Sequence, residues 1–373
     1  MSKLTSYETA GADGLVATKE IRRFKVAINT ACPLRCEYCF IDKDSGEVIG
    51  WDQVQGLVRF FLGSPGPVKK LLIYGGEPFL KFDLARDIAL YARGQAVPAG
   101  KDLDLSICTS GVSVTRAQLE FLRDQRFFLS VSMDGDEATH DKRRRLKGDR
   151  GSWKKTAANL PLIFEVMGRR RTMAIQCVHP DNVEKMLDNF QTLVGLGFEN
   201  VEIEVIHGFG WKEKKHLFRP MLQKVLDWIL AEAREGRMRF LVCSLVPLML
   251  KEGILLEDMC PFHSSMECYP DGKYSFYPFA FVDWEARKRC GVGGALEGVG
   301  ERYRSCSFDK DSATCKNCTS DYYRNPAVNE GNDPYLWRTE MARAFMDRVV
   351  LASASDPVMK EYLREALIRC RIS

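Results

Sequence analysis

Between about residues 21 and 210 the chain alternates short apolar runs with amphipathic stretches. Strand candidates fall at 24–29, 70–74, 103–109, 128–133, 172–178 and 201–205, and helical patterns at 52–62, 84–93, 116–125, 153–167 and 183–196. Strand and helix in turn, at this spacing, mean repeated βαβ units and a parallel sheet. Six such repeats predict an α/β fold, a partial (β/α)6 TIM-like barrel. Catalytic groups in such folds gather at the C-terminal ends of the strands.

Beyond His207 the pattern changes. A helix is predicted at 221–235, and helical periodicity returns at 335–351 and 357–369. Between them, from Cys260 to Asn325, Cys, Gly, Tyr and Phe are frequent and helical periodicity is weak. A segment of that kind needs a staple other than a large apolar core, and a metal centre supplies one. Within it, Tyr269-Pro-Asp-Gly272 followed by Lys-Tyr-Ser-Phe reads as a hairpin with an Asp-Gly turn. The expected organisation is an N-terminal arm (1–20), the barrel (21–225), a helical bridge (226–258), a small cysteine-rich module (259–325) and C-terminal helices (326–373).

The 373 residues accommodate a barrel plus a smaller module. A content of 45% hydrophobic and 28% charged residues excludes wholesale disorder. A net charge of +4 is too mild to point to nucleic acid or a membrane surface, so neither is an expected partner. No apolar run is long enough to cross a bilayer, and Glu8 and Asp13 interrupt the first twenty residues, which lack a signal-peptide core. The expected location is cytoplasmic. The basic runs 143–147, 169–171 and 212–215 read as solvated faces, with docking of an acidic leader peptide as the second reading.

The thirteen cysteines are the anomaly, because a reducing cytosol disfavours a disulfide framework. Cys108, Cys177, Cys243 and Cys370 are scattered singles that read as packing residues, with Cys108 and Cys177 also near strand ends where a thiol can take part in chemistry. Cys32-Pro-Leu-Arg-Cys36-Glu-Tyr-Cys39 is different: C-x3-C-x2-C directly after the first strand. Three thiolates on one short loop can hold three irons of a 4Fe–4S cluster and leave the fourth open to a ligand. Closed tetrahedral zinc would need a fourth protein ligand, and no His lies near the loop.

This loop resembles the signature of radical S-adenosylmethionine (SAM) enzymes, C-x3-C-x-aromatic-C, with Tyr38 as the aromatic. Tyr74-Gly75-Gly76-Glu77-Pro78, just past the second strand, resembles that family's GGE motif. Two glycines let a backbone edge approach a ligand, and Glu77 with nearby carbonyls can accept hydrogen bonds from the methionyl amine of SAM. Thr109-Ser110-Gly111 stands where the family often has Thr-Asn-Gly. Ser132-Met-Asp134-Gly135, His140-Asp141 through Arg144, and Gly148 through Trp153 are similar to a stretch found in the members that modify peptides and proteins. By this resemblance Gly75, Gly76, Glu77, Pro78, Thr109 and Ser110 bind the cofactor with Tyr38, Ser132 and Arg144 reach the SAM carboxylate or ribose, and Asp134 lies near substrate or SAM as a catalytic candidate, with Cys108 as a second.

Cys260, Cys268, Cys290, Cys306, Cys315 and Cys318 make a second cluster that resembles the SPASM or shorter twitch extension of the same enzymes. A full SPASM pattern has more cysteines than this chain offers, because Phe279 follows Pro278 and none follows closely after Cys318. The resemblance therefore implies one auxiliary 4Fe–4S cluster on Cys260, Cys268, Cys315 and Cys318, with Cys306 and Cys290 as alternates. His263 keeps a structural zinc site open.

The implied activity is reductive cleavage of SAM to a 5′-deoxyadenosyl radical, which abstracts hydrogen from a peptide residue. The outcome would be a thioether, carbon–carbon or ether crosslink, or another modification, in a ribosomally made peptide. Implied partners are the peptide or protein substrate, an electron donor such as flavodoxin or ferredoxin, and a separate leader-recognition protein. Other readings are a formylglycine-forming sulfatase maturase, a radical SAM enzyme acting on a small molecule, and a non-catalytic iron–sulfur or zinc protein that senses redox state or binds a partner. A sensor has no use for a GGE segment, which favours the enzyme.

Overall fold

The computed structural model describes residues 20–206, 210–243, 246, 250, 265–271, 274–275 and 326–372. The chain divides into two compact units, and β3 begins in the first and ends in the second. The first comprises the described parts of Met1–Ala31, Ile41–Leu105 and Pro261–Cys315; the second, those of Cys32–Phe40, Ser106–Cys260 and Lys316–Ser373.

In the first unit β1 (Arg23–Ala27) runs parallel to β2 (Val68–Tyr74), in register from Arg23 opposite Lys70 to Ala27 opposite Tyr74. The crossover is α1 (Trp51–Gly63), and α2 (Phe82–Ala96) leads on to β3 (Asp102–Thr109). The apolar side of α1 follows from Val54, Leu57, Val58, Phe61 and Leu62, all buried. Phe61 packs on Phe24 of β1 at 5.5 Å between ring centroids. On its other edge β1 pairs in parallel with a late segment, β8 (Ser265–Cys268). Lys25 ties the two together through an ion pair with buried Glu267 at 2.8 Å. β8 then pairs antiparallel with β9 (Tyr274–Ser275), Cys268 opposite Tyr274, which is the hairpin expected around Gly272.

In the second unit the end of β3 pairs with β4 (Phe128–Ser132), β4 with β5 (Thr172–Val178), β5 with β6 (Asn200–Val205) and β6 with the short β7 (Phe240–Leu241), all parallel. The crossovers are α3 (Arg116–Asp124), α5 (Trp153–Met167) and α6 (Met186–Gly195), and α8 (Phe218–Arg234) lies between β6 and β7. β4 and β5 are buried almost throughout, as strands covered on both faces should be. The alternation is thus the partial (β/α)6 arrangement expected from the sequence. α8 runs through the 225/226 position drawn above as the end of the barrel, so one continuous helix spans that boundary.

Four elements were not legible in advance: β7, the placement of β8 beside β1, and the short helices α4 (Glu137–Arg143) and α7 (Trp211–Lys214). The two C-terminal helices, α9 (Pro326–Ser353) and α10 (Pro357–Ile372), are integral to the second unit. Buried Arg338 donates to Ile203 O at 2.7 Å, and buried Arg369 donates to Asn200 Oδ1 at 2.8 Å. Cys370 packs with Phe128, Met173 and Val242, and Cys243 is buried, so both are the packing residues expected.

α3 starts on a capping box: Thr115 Oγ1 accepts from Gln118 N, and Gln118 Oε1 accepts from Thr115 N at 3.0 Å. Thr115→Ala should cost about 1 kcal/mol in urea unfolding. A loss below a few tenths would mean the box contributes nothing here.

Candidate active site

In the first unit the Tyr74–Pro78 segment is folded onto the chain that follows β1. Gly76 N donates to Asn29 O at 2.7 Å and Glu77 N to Ala31 O at 2.8 Å. Asn29 Nδ2 returns a bond to Glu77 O at 3.1 Å. A Cβ on Gly76 would collide with the backbone carbonyls of Ala31 and Thr30, so only glycine fits. Gly75 sits at φ +140° against Asn29 O, a second position closed to other residues. Ala31 immediately precedes Cys32 in the chain.

Glu77 itself is fully buried, and its Oε1 accepts from Phe79 N at 3.2 Å, capping the turn that begins at Pro78. Its carboxylate therefore shapes the loop from inside. Tyr74, Gly75 and Gly76 are the partly exposed members of the segment, while Glu77 and Pro78 are buried.

In the second unit Cys32, Cys36 and Cys39 are all partly exposed and none is in a disulfide. Cys39 N donates to Cys36 O at 3.2 Å, and Leu34 N points at Cys32 Sγ at 3.4 Å. The loop is laid against residues 143–147: Arg35 N donates to Arg145 O at 2.7 Å, Glu37 N to Arg143 O at 3.0 Å and Lys147 N to Pro33 O at 3.0 Å. Among the described residues no three His, Cys, Asp or Glu side chains are set to hold a metal ion. Three thiolates that each anchor a separate iron need not converge on one point, and three partly exposed thiols on a backbone-braced loop fit a 4Fe–4S cluster.

Behind the loop lies a buried polar assembly. Asp134, fully buried at the end of β4, forms an ion pair with Arg144 at 3.0 Å. It also accepts from Tyr38 Oη at 2.7 Å and from Cys177 N at 3.0 Å. Arg144 donates to Cys177 Sγ at 3.0 Å, and its guanidinium stacks 5.1 Å from the Tyr38 ring centroid. Burial pushes the Tyr38 phenol and the Cys177 thiol up, so both stay protonated. Asp134 and Arg144 are thus paired with each other in the interior of the second unit. Gly135 follows at φ +136°, where a Cβ would strike the Asn189 side chain.

A second layer fixes this pair. Asp134 N donates to His140 Nδ1 at 3.3 Å, which leaves the ring proton on Nε2. Nε2 then donates to Ser152 Oγ at 2.9 Å, and the Ser152 hydroxyl donates to Arg144 O at 2.6 Å. Asp141 Oδ1 accepts from Ser152 N at 2.8 Å and Trp153 N at 2.9 Å, capping α5 from α4. His140 and Ser152 had no role assigned from sequence; the signal was there, in their spacing from Asp134 and Arg144.

Burial lowers His140 to about 4 and His179, which is 2% exposed, to about 4. An unfolded histidine titrates near about 6.5, so the unfolded chain takes up protons first as pH falls. The stability is fully present above about pH 6.5 and is lost towards pH 4, by about 1.4 kcal/mol per pH unit for each ring. The urea midpoint should therefore fall steadily from pH 7 to pH 5, and His140→Gln should flatten the slope. An unchanged slope in the variant would refute the assignment.

Of the other expected residues, Thr109 is buried with Oγ1 accepting from Gly111 N at 3.0 Å. Ser110 O accepts from Thr156 Oγ1 at 2.9 Å. Ser132 and Cys108 are partly exposed neighbours, Sγ to Oγ 3.7 Å. Cys268 is buried on β8, where burial raises its thiol. Cys260, His263, Cys290, Cys306, Cys315 and Cys318 lie outside the described residues. No helix among the described residues is long and apolar enough to cross a membrane.

A family model described as the Radical SAM superfamily matches residues 26–218. The chain is similar to a serine-type anaerobic sulfatase-maturating enzyme of Klebsiella aerogenes, 24% identical over 188 residues, or 49% of this chain and 46% of that protein. It is also similar to a GTP 3′,8-cyclase of Xanthomonas axonopodis pv. citri, 31% identical over 186 residues, or 46% of this chain and 52% of that protein. The matched part of the chain thus spans about half the length of these curated relatives. Its fold is that of native anSMEcpe, solved with bound AdoMet and Cp18Cys peptide: TM-score 0.65 at 14% identity, covering 90% of this chain and 99% of that one.

Proposed function

Because the chain belongs to the radical SAM superfamily, we propose that it modifies a residue of a peptide or protein substrate by abstracting a hydrogen atom. As a member it uses SAM and a 4Fe–4S cluster, which together supply a 5′-deoxyadenosyl radical. Cys32, Cys36 and Cys39 would hold the cluster, and the carbonyls of Gly75 and Gly76 would take the amine of SAM. Ser132, partly exposed at the end of β4, is the side chain free to face substrate or SAM. Asp134 and Arg144 act one step back: they set Tyr38, and with it the turn between Cys36 and Cys39. Cys268 remains our candidate ligand for an auxiliary cluster. The protein works in the cytoplasm on this reading.

The observation that carries the peptide assignment is the web from Asp134 through His140 and Ser152 to Arg144. It builds the whole 132–153 stretch, which resembles the peptide-modifying members, into one hydrogen-bonded unit. A neighbour of the same fold that holds AdoMet and a peptide supports it. Crosslinking and conversion of a serine or cysteine to formylglycine are equally supported outcomes. The similarity to a GTP 3′,8-cyclase favours a small-molecule substrate as the second reading.

The test is anaerobic incubation of the reconstituted enzyme with SAM and reductant plus one of three substrates: the peptide encoded beside its gene, a sulfatase-derived peptide, or GTP. The expected result is 5′-deoxyadenosine formation with a peptide product: loss of two hydrogens for a crosslink or for serine oxidised to formylglycine, and, for a cysteine, loss of two hydrogens together with replacement of its sulfur by an oxygen from water. Turnover of GTP, with both peptides unchanged, would overturn the proposal.

A further inference from the structure

The sheet of the second unit has two unlike faces, because successive residues of a strand point to opposite sides. Gln176, whose Nε2 donates to Met186 O at the start of α6 at 3.0 Å, marks the side covered by crossover helices. On the other side the register sets Ser132 opposite Ile175, Ile175 opposite Glu202 and Cys177 opposite Glu204. The lower part of this face is closed by α10: Cys370 packs with Phe128 and Met173, and Arg369 reaches Asn200. Above that floor Ser132, Ile175, Glu202 and Glu204 are all partly exposed. The open part therefore lies towards the C-terminal ends of the strands, where α/β folds place their chemistry.

Glu204, one residue from the end of β6, is the outer of the two acids, and its side chain is 40% exposed against 22% for Glu202. Buried Arg338 of α9 fixes it: Nη1 donates to Glu204 Oε2 at 3.1 Å and to Ile203 O at 2.7 Å. The carboxylate thus has a set position and is still open. Cys177, its register partner on β5, accepts from Arg144, whose guanidinium lies over the Tyr38 ring of the cysteine loop. Glu204 therefore stands one strand across from the assembly behind that loop. Asp134 belongs to the same face, but it is fully buried and engaged by Arg144, Tyr38 and Cys177 N. Burial keeps the Cys177 thiol protonated.

A peptide that loses two hydrogens gives up one as an atom and the other as a proton and an electron. From this geometry we infer that Glu204 is the catalytic base that takes the proton. The inference rests on the peptide reading given above, and it holds for either outcome named there. For serine, the carbon-centred radical still bears its hydroxyl. The O–H bond breaks, the proton passes to a Glu204 carboxylate oxygen, a C=O bond forms, and one electron leaves to an oxidised iron–sulfur cluster. For a thioether, the thiol proton takes the same route as the C–S bond forms, and again one electron leaves to such a cluster. A carboxylate held in place by a buried arginine, yet open at the strand ends, suits that single proton transfer.

The experiment uses the reconstituted full-length protein and its Glu204→Gln, Glu204→Asp and Glu202→Gln variants, with SAM and dithionite. The probes are a sulfatase-derived peptide deuterated at Cβ of its target serine and a uniformly deuterated form of the peptide encoded beside the gene. Deuterium in 5′-deoxyadenosine counts abstraction, and mass spectrometry of the peptide counts product. In Glu204→Gln we expect the ratio of product to labelled 5′-deoxyadenosine to fall at least about 100-fold. The trapped radical should instead take an electron from dithionite and a proton from water, so peptide is recovered intact with a solvent hydrogen in place of the label. Glu204→Asp should restore part of the ratio, and Glu202→Gln should keep it. Because the ratio is internal to each sample, a smaller folded fraction does not move it, and binding of unlabelled peptide without reductant, read by calorimetry, reports recognition separately. An unchanged ratio in Glu204→Gln, an equal fall in Glu202→Gln, or a defect confined to peptide binding would each overturn the assignment. No label from either peptide in the unsubstituted enzyme would instead mark failure of the peptide reading itself, and this role would fall with it.

Discussion

Alanine at Cys32, Cys36 and Cys39 together should remove about four irons per chain and abolish SAM cleavage. The three thiols sit on one loop whose backbone is braced independently, through Arg35, Glu37 and Lys147, by residues 143–147. None of those bonds uses a cysteine side chain, so the fold should survive the triple change, and circular dichroism should be near that of wild type. Iron content and electron paramagnetic resonance after anaerobic reconstitution give the reading. About eight irons in the parent and about four in the variant would also support an auxiliary cluster. About four and none would leave the 260–318 cysteines to zinc or to packing. Full iron retention in the variant would remove the loop from the cofactor site altogether.

Asp134→Ala should be the most destabilising single change in the second unit. It strands the Arg144 guanidinium, only 7% exposed, with no countercharge, and it takes the acceptor from Tyr38 Oη and Cys177 N. Removing one partner of a buried ion pair costs about 3–5 kcal/mol. Asp134→Asn with Arg144→Met, which removes both charges, should recover part of that loss, and the cycle gives the coupling. Denaturant unfolding under anaerobic conditions measures it. Asp134→Ala within about 0.5 kcal/mol of wild type, combined with lost turnover, would instead make Asp134 a group that acts on substrate directly.

How far the sequence foretold this molecule depended on how local each feature was. The strand 172–178 and the helix 153–167 are read to the residue, because apolar content and period change sharply at Gly168 and Trp153. α4 escaped because Glu-Ala-Thr-His-Asp-Lys-Arg has no apolar stripe; its sign is the Asp136 cap, which accepts from Thr139 N at 2.7 Å. The cysteine loop was legible since its chemistry is packed into eight consecutive residues. The assembly of Tyr38, Asp134, Arg144 and Cys177 was not, since separate segments supply it and Cys177 reaches Asp134 and Arg144 only once β4 and β5 align. Glu77 shows the limit from the other side: its motif was recognised, but an inward-turned carboxylate that caps its own turn is a fact of backbone geometry.

The parallel neighbour of β1 on one edge is β8, joined to it only after roughly 240 intervening residues. A ribosome releasing this chain from its N-terminus exposes the edge of β1 long before Ser265–Cys268 emerges to cover it. Pairings of such sequence separation form late and slowly, and an open strand edge in the meantime is a template for intermolecular pairing. Shielding of β1 during synthesis, by a chaperone or by a transient pairing within the nascent chain, should therefore favour correct folding of the first unit. Yield in a heterologous host should respond to slower translation and chaperone supply more than to any change in the finished core.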